Sequence, residues 1–252
     1  MATQIKIFQT LSSDEQKSFV LGGTTVAIGN FDGCHLGHQS LIHTAQGIAR
    51  KIQTKTVVLF FHPHPRSYFR TGEDRRLFSL EQKVRAFAEL GVDCVFIQSF
   101  DKALAQLSPE GFCRTLLQEK LCAKAIVVGQ NFFFGKNRAG SSHWLKENVG
   151  FAHVEVVSLA ASFEKTMSST RVIQALSSGY VEEANSMLGR SYLLEGKILG
   201  NERALSQQEG GGIRFQIEDQ LLPKKGVYTG FFWAFNEPPP VLSMPKKALE
   251  SR

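Results

Sequence analysis

The sequence predicts an α/β fold, in which a Rossmann-like, doubly wound parallel sheet is covered by helices on both faces and a small C-terminal β domain follows. Three observations support this prediction. Five short segments are apolar on both faces, helical patterns separate them, and the character of the sequence changes in its last quarter. Strands that are apolar on both faces are typical of a parallel sheet that is buried on both sides.

The predicted strands cover residues 24–28, 56–61, 92–97, 125–128 and 154–157, and the predicted helices cover residues 36–52, 80–90, 109–121, 168–177 and 182–188. Ser79 and Gln82 have the spacing of a capping box at the start of the second helix. Ser108 and Pro109 supply an N-cap and a first-turn proline for the third. Right-handed crossovers then place all five strands in one sheet.

A second domain is predicted from the change in pattern after residue 185. Residues 192–199 and 213–217 alternate in the manner of antiparallel strands, and residues 226–235 predict another strand. We therefore expect a first domain at residues 1–185 and a second at residues 186–252. A piece of about 65 residues has little core of its own, so the second domain is expected to rest against the first.

The composition indicates a cytoplasmic globular protein. The longest apolar run, residues 57–61, is too short to cross a bilayer, and residues 1–12 lack the features of a signal peptide. The four cysteines have no CxxC spacing, which favours reduced thiols. The net charge of +6 comes from scattered lysines and arginines, so we expect small-molecule partners and neither nucleic acid nor membrane. The oligomeric state stays open.

A glycine-rich loop is predicted to bind phosphate. It has the sequence Gly29-Asn30-Phe31-Asp32-Gly33-Cys34-His35-Leu36-Gly37-His38-Gln39 and lies between the first strand and the first helix. Glycines let the backbone turn tightly and approach a ligand, and the first N–H groups of a helix attract anions. His35 and His38 are three residues apart, so they share a helix face and can both donate hydrogen bonds to phosphate. Two other loops, at residues 62–65 and 129–140, also follow strands, so all three are expected to face one cleft.

Four segments resemble, in order, motifs of the prokaryotic FAD synthetases, the bifunctional riboflavin kinase/FMN adenylyltransferases. They are the loop at residues 29–39, then Phe61-His62-Pro63-His64-Pro65, then Val128-Gly129-Gln130-Asn131-Phe132-Phe133-Phe134-Gly135 with Arg138 and Gly140, and finally Ser168-Ser169-Thr170. The resemblance spans residues 24–188. It implies a nucleotidyltransferase type of fold in residues 1–185 and a riboflavin-kinase-like β domain in residues 186–252. The implied reaction transfers AMP from ATP to FMN, giving FAD and pyrophosphate, with Mg²⁺ as cofactor.

The resemblance also implies roles for individual residues. The catalytic residues would be His35, His38, Asn131 and Arg171, with Asn131 also holding Mg²⁺. ATP would be bound by Gly29, Phe31, Asp32, Gly33, Gly37, Ser169 and Thr170. FMN would be bound by Pro63, His64, Pro65, Phe132, Phe134 and Arg138. No covalent intermediate is needed, because positioning and electrostatic stabilisation can supply the rate of such a transfer.

The sequence departs from the family pattern on both sides of the Ser168-Ser169-Thr170 segment. Thr166 and Ile173 stand where many relatives carry basic residues, and Lys165 and Arg171 are the neighbouring cations. Phe133 stands where relatives often carry Arg or Thr. These departures put catalytic efficiency in question more than the identity of the ligands.

The second domain departs further from the family. Residues 192–196 and 226–228 resemble fragments of the riboflavin-kinase module, but the Pro-Thr-Ala-Asn segment between them is missing. The chain also ends before the segment that supplies the catalytic carboxylate of that module. We therefore expect that riboflavin kinase activity is lost and that this domain has a structural role.

Other interpretations stay open at this point. The chain could be a bifunctional enzyme that retains kinase activity, or a flavin- or nucleotide-binding protein without turnover. Transfer of AMP to another phosphate acceptor, such as a phosphopantetheine or glycerol phosphate, is a close variant. A zinc site is a further alternative, because four histidines, His35, His38, His62 and His64, lie in loops expected to converge, and imidazole is a common zinc ligand.

Overall fold

The computed structural model describes residues 5–9, 14–65, 68, 76–158, 167–199, 213–218 and 220–234. Its strands are β1 (Lys6–Phe8), β2 (Thr24–Ile28), β3 (Lys55–His62), β4 (Cys94–Ser99), β5 (Ala123–Gly129), β6 (Phe133–Phe134), β7 (Gly140–Ser141), β8 (His153–Val157), β9 (Gly196–Ile198) and β10 (Phe215–Ile217). Its α-helices are α1 (Asp14–Leu21), α2 (Leu36–Ile52), α3 (Leu80–Glu89), α4 (Lys102–Ala105), α5 (Pro109–Phe112), α6 (Ser142–Asn148), α7 (Ser169–Ser178) and α8 (Val181–Leu188). Helix α5 continues as a π-helix over Cys113–Lys120, and single 3₁₀ turns occupy Asp32–Cys34 and Lys136–Arg138.

Six strands form one parallel sheet in the order β1-β4-β3-β2-β5-β8, which confirms the predicted fold class. All five predicted strands belong to this sheet, and only its three-residue edge strand β1 was not predicted. The chain adds β3 and β4 on one side of β2, and then β5 and β8 on the other. The strand order therefore reverses between β2 and β5, as it does in a doubly wound sheet.

Each face of the sheet has its own hydrophobic core. Helices α2, α3, α7 and α8 contribute to the core that includes Phe31, Ile42, Phe87, Leu176 and Leu188. Helix α5, its π-helical continuation and α6 contribute to the opposite core, which includes Phe96, Leu117, Ile126 and Leu145. The five residues of β2 are all buried, as expected for a central strand that is covered on both sides.

The predicted helix starts are confirmed by their caps. The Ser79 hydroxyl accepts from the Gln82 N–H at 3.1 Å, and the Gln82 amide oxygen accepts from the Ser79 N–H at 2.9 Å, which completes the capping box. The Ser108 hydroxyl accepts from the Gly111 N–H at 3.1 Å. Helix α2 has the predicted bounds.

The second domain is only partly as predicted. Strands β9 and β10 form the expected antiparallel pair, although β9 is shorter than predicted. The strand predicted over residues 226–235 is wrong, because residues 226–234 form no strand and residue 235 lies outside the described ranges. Val227 is fully exposed there and Phe231 is 86% exposed, so this segment has no buried face.

Residues beyond position 185 pack on the first domain, as the small size of the second domain suggested. Leu188 and Leu221 are buried in the same core as Ala184, and Tyr192 packs against that core. The Tyr192 hydroxyl donates to the Leu221 carbonyl at 2.7 Å. The boundary near residue 185 stays a prediction. Within the described ranges, no helix is both long enough and apolar enough to span a membrane.

Candidate active site

The three predicted loops meet at one edge of the sheet. Strands β3, β2 and β5 are neighbours and parallel, so the segments that follow them leave the sheet on the same side. The last residue of β2, Ile28, is level with Leu59 of β3 and Val128 of β5. The three loops therefore leave the sheet at the predicted edge, and a cleft that all three face stays a prediction. This edge lies beside the reversal of strand order, where ligands bind in such sheets.

The loop after β2 is held in its conformation by specific contacts. The Asp32 carboxylate accepts hydrogen bonds from the backbone N–H groups of Leu77 and Phe78, at 3.2 and 3.3 Å. Gly33 has φ +73°, in the left-handed region, and a Cβ there would lie 2.8 Å from the Leu77 side chain. Phe31 is fully buried, with its ring against those of His38 and Phe87. The carboxylate of Asp32 and the ring of Phe31 thus support the loop, and the binding of ATP by these two residues stays a prediction.

His35 and His38 are stacked at the start of α2. Their ring centroids are 3.6 Å apart and their planes are inclined by 20°. His35 is the N-cap of α2, and its Nδ1 accepts a hydrogen bond from the His38 backbone N–H at 3.3 Å. A neutral His35 must therefore carry its proton on Nε2, which leaves that N–H to donate elsewhere. The buried Nδ1 of His38 has no hydrogen-bond partner, which in a native structure calls for an explanation such as a functional role.

Both imidazoles are neutral at physiological pH. Burial lowers the pKa of His35 from 6.5 to about 4. Burial also lowers the pKa of His38 well below 6.5, with smaller contributions from neighbouring His35 and Lys83. A stacked pair of imidazolium ions would repel, so the geometry and the low pKa values agree. The pair is suited to donate hydrogen bonds to phosphate without carrying a charge.

The low pKa of His35 predicts that the free energy of unfolding falls in acid. In the variant His35→Asn this fall should be smaller. Between pH 6.5 and about 4, the unfolded chain binds a proton at this residue and the folded chain does not, so the free energy of unfolding falls as the pH falls. The full pKa difference corresponds to roughly 3 kcal/mol. Asparagine keeps the N-cap but does not titrate. Urea unfolding at pH 7, 5 and 4 should give a shallower loss for His35→Asn; an identical loss in both proteins would contradict the prediction.

The start of α7 is tied to the same loop. The Ser169 hydroxyl donates to the Asp32 carbonyl at 2.9 Å, and Ser168 is the N-cap of the helix. Thr170 is exposed at this end. Two helix N-termini, those of α2 and α7, therefore adjoin one loop, which favours binding of an anion between them.

Of the two cations predicted near α7, Lys165 and Arg171, only Arg171 lies among the described residues. Arg171 forms an ion pair with Glu183 of α8 at 3.2 Å, so a carboxylate accompanies its charge. Ile173 packs against the core. Lys165 and Thr166 lie outside the described residues. The catalytic role of Arg171 stays a prediction.

The residues predicted to bind flavin separate into two groups. Pro63, His64 and Pro65 are partly buried directly after β3. Phe134, in contrast, is 7% exposed and packs against Phe112, Phe132 and Trp144, with centroids 5.0–5.8 Å apart. The Phe134 ring thus packs in the core, and the binding of flavin by this residue stays a prediction.

Phe133 is the exposed aromatic residue of this segment. It is 47% exposed, and the Arg138 guanidinium lies 4.8 Å from its ring centroid. Strand alternation along β6 turns Phe133 outward and Phe134 inward.

One basic residue near the loop was not predicted. Lys83 of α3 donates from Nζ to the Asn30 carbonyl at 3.0 Å, and its Nζ lies 4.9 Å from the Phe60 ring centroid. The positive charge of Lys83 contributes to the low pKa of His38, so this lysine acts electrostatically on the histidine pair. No local pattern distinguishes this lysine, because a lysine on an amphipathic helix usually faces solvent.

The described residues contain no group of three or more His, Cys, Asp or Glu side chains that could hold a metal ion, so the zinc alternative gains no support from them.

Asn131, two residues after the end of β5, is exposed and offers a single amide oxygen. An amide oxygen can be one ligand of Mg²⁺, which keeps several waters and takes others of its ligands from substrate phosphates, so the binding of Mg²⁺ by Asn131 stays a prediction. Cys34 is no candidate nucleophile, because burial raises the pKa of its thiol to about 11.

Comparison with known proteins identifies the family. Relatives include the bifunctional riboflavin kinase/FMN adenylyltransferases of Buchnera aphidicola subsp. Schizaphis graminum and of Escherichia coli K12, each 32% identical over 82% of this chain and 67% of the relative. The chain thus spans about two thirds of the length of these relatives.

Among solved structures, a crystal structure described as a macrolide-efflux protein from Streptococcus pneumoniae has a TM-score of 0.75 and 26% identity, covering 89% of this chain and 73% of that chain. A family model for FAD synthetase matches residues 18–171, which is more than half of the chain and contains all four motifs. The chain therefore belongs to the FAD synthetase family.

Proposed function

We propose that this protein is an FMN adenylyltransferase, which transfers AMP from ATP to FMN and releases pyrophosphate. The observation that carries the proposal is the stacked, neutral pair His35–His38 at the start of α2, in the loop beside the strand-order reversal. The names of the relatives supply the acceptor, FMN, and the membership of the FAD synthetase family supports it. We assign the activity to residues 1–185.

In the proposed reaction, a phosphate oxygen of FMN attacks the α-phosphorus of ATP. The new P–O bond forms as the bond from the α-phosphorus to the bridging oxygen breaks, and pyrophosphate leaves with the electron pair. Negative charge grows on the leaving group. His35, through Nε2–H, and His38 donate hydrogen bonds to it, and the N-termini of α2 and α7 stabilise it through their backbone N–H groups.

The remaining predicted residues are assigned to binding. Gly29, Gly33 and Gly37 let the backbone approach ATP, and Ser169 and Thr170 border its phosphates. FMN lies against Pro63, His64 and Pro65 on one side. On the other side we now assign the exposed Phe133–Arg138 pair together with Phe132, instead of Phe134.

We propose that the reaction depends on Mg²⁺, with Asn131 as its protein ligand. When bound, the ion would neutralise part of the phosphate charge. The chain itself supplies further positive charge through Lys83, beside the loop, and Arg171, beside Ser168.

We also propose a cytoplasmic setting, which suits the four free thiols.

We further propose that riboflavin kinase activity is absent. The support is internal to the sequence, since no Pro-Thr-Ala-Asn segment occurs between residues 196 and 226. In this proposal residues 186–252 are a riboflavin-kinase-like β domain that has kept a structural role.

Two assays on the purified protein test these proposals. FMN, ATP and Mg²⁺ should yield FAD and pyrophosphate in equal amounts, and chromatography should find no FAD when Mg²⁺ is chelated. Riboflavin with ATP should yield no FMN. No FAD above the protein-free background would refute the transferase proposal, and FMN formation at an enzymatic rate would refute the loss of the kinase.

The same assays separate the alternative of binding without turnover. The ion pair of Arg171 with Glu183 favours that alternative, because an arginine paired with a carboxylate neutralises less of the phosphate charge. Tight binding of FMN and ATP with no FAD would establish it. Phosphopantetheine or glycerol phosphate as acceptor in place of FMN tests the specificity.

A further inference from the structure

The last residue of α8 and the two residues that follow it pack against the loop after β2. They are Leu188, Gly189 and Arg190, and we call them the junction. The Leu188 side chain lies against Gly33, and Gly189, with φ +69°, packs so closely on Leu36 that a Cβ would lie 2.6 Å from its Cδ2 atom. The junction therefore contacts the loop on both sides of His35.

The third junction residue, Arg190, holds one backbone carbonyl of that loop. Its Nη2 donates to the Cys34 carbonyl at 3.1 Å. The Gln39 side chain donates to the same carbonyl at 3.0 Å and to the Leu188 carbonyl, also at 3.0 Å. The Cys34 carbonyl oxygen thus accepts two hydrogen bonds. One comes from Arg190 of the junction, and the other comes from Gln39, whose side chain also donates to the Leu188 carbonyl of the junction.

The Cys34 carbonyl is a sensitive point of the loop. Cys34 has φ +42°, a left-handed conformation that a non-glycine residue keeps only when its surroundings hold it. Its carbonyl lies in the same rigid peptide plane as the N–H of His35. Fixing the carbonyl therefore fixes the direction in which the chain enters His35, the N-cap of α2.

Arg190 is itself fixed by its neighbours. Its guanidinium lies 5.2 Å from the centroid of the Phe78 ring, and its Nη1 lies 3.6 Å from a carboxylate oxygen of Glu89. Stacking on an aromatic ring while donating from separate nitrogens requires the planar guanidinium, and a lysine cannot reproduce it.

We propose that Arg190 is a positioning residue of the phosphate-binding loop, acting through the Cys34 carbonyl on His35 and His38. The start of the second domain then contributes to the active site of the first. The inference rests on the proposed function for its consequence in catalysis, but the geometry of the loop can be tested without turnover.

The matched control is Arg85. It forms an ion pair with Glu195, which anchors the same stretch of chain five residues beyond Arg190, and its side chain is similarly exposed. Among the described residues, its hydrogen bond and its ion pair are both with Glu195. The variants Arg190→Ala and Arg85→Ala therefore both loosen the attachment of the second domain, but only the first releases the Cys34 carbonyl.

The experiment measures ATP binding by calorimetry, the pKa of His35 by NMR, and kcat and KM for ATP. In Arg190→Ala we expect ATP to bind at least about tenfold more weakly, as for the loss of a charged hydrogen bond. The pKa of His35 should rise from about 4 toward 6.5 as the loop opens to water. In Arg85→Ala both quantities should stay at the wild-type values. The KM for ATP should rise in Arg190→Ala, with a smaller change in kcat.

Equal ATP affinity and equal His35 pKa in the two alanine variants would overturn the proposal. If Arg190→Ala does not fold, Arg190→Lys gives the same test, because it keeps the charge and loses the planar donor; wild-type binding and wild-type His35 pKa in that variant would then overturn the proposal. Absence of FAD formation in the wild type would refute the proposed function and leave the binding and NMR outcomes decisive for Arg190.

Discussion

Replacing His38 by alanine is expected to lower kcat/KM for ATP in FAD formation by about 100-fold or more, the usual effect of removing one preorganised donor from a developing charge. His38 is stacked on His35, and its ring also contacts the buried Phe31, so its position is fixed before any ligand binds. Because its pKa is well below 6.5, it acts as a neutral donor. The loss should therefore be nearly constant between pH 7 and 8.5.

Two variants make this test specific. His43→Ala removes an exposed histidine of the same helix, whose side chain bonds to Gln46, and should leave kcat/KM unchanged. His38→Gln keeps much of the side-chain volume and an amide donor, so it should retain more activity than His38→Ala. If His38→Ala and His43→Ala had the same kcat/KM, the histidine pair would have no part in the reaction.

Replacing Gly33 by alanine is expected to destabilise the protein by about 2–5 kcal/mol and to abolish measurable ATP binding. Alanine in the left-handed conformation costs about 1–2 kcal/mol, and added volume in a packed site costs about 1–3 kcal/mol. The new Cβ would lie 2.8 Å from Leu77 and 3.2 Å from Leu188. Relief of these contacts must move the 3₁₀ turn that precedes His35. Urea unfolding and calorimetry with ATP measure the two effects.

The control for this prediction is the same change at Gly47. This glycine is in the middle of α2, has an ordinary helical φ, and a Cβ there would meet nothing within 4 Å. Gly47→Ala should therefore stabilise the protein by about 0.5–1 kcal/mol and leave ATP binding intact. Wild-type ATP affinity in Gly33→Ala would show that the loop does not need the left-handed turn.

Elements with a strong local signal were predictable from the sequence. The five predicted strands of the parallel sheet, the helix after the glycine loop and the capping box at Ser79 all follow from patterns within a few residues. The edge strand β1 was missed because three residues carry too little pattern. The strand expected at residues 226–235 was wrong for a different reason, since residues 226–234 pair with no strand among the described residues.

The candidate site was predictable as a set of loops and not as a set of contacts. The motif residues are adjacent in sequence, and parallel topology brings their loops together. Whether a side chain such as Phe31 or Phe134 faces the ligand or the core depends on packing against distant segments. Arg190 is 156 residues from Cys34, and no local pattern connects them.

The contacts of the junction with the loop also bear on where this protein could exchange parts with its relatives. Sequence character changes near residue 185, but the residues that pack on the loop extend to Arg190. A recombination crossover placed at the change in composition would separate the loop from its contacts with Leu188, Gly189 and Arg190. A crossover placed between Arg190 and Glu195 would keep those contacts with the loop, so the genetic unit of the transferase extends beyond its apparent compositional end.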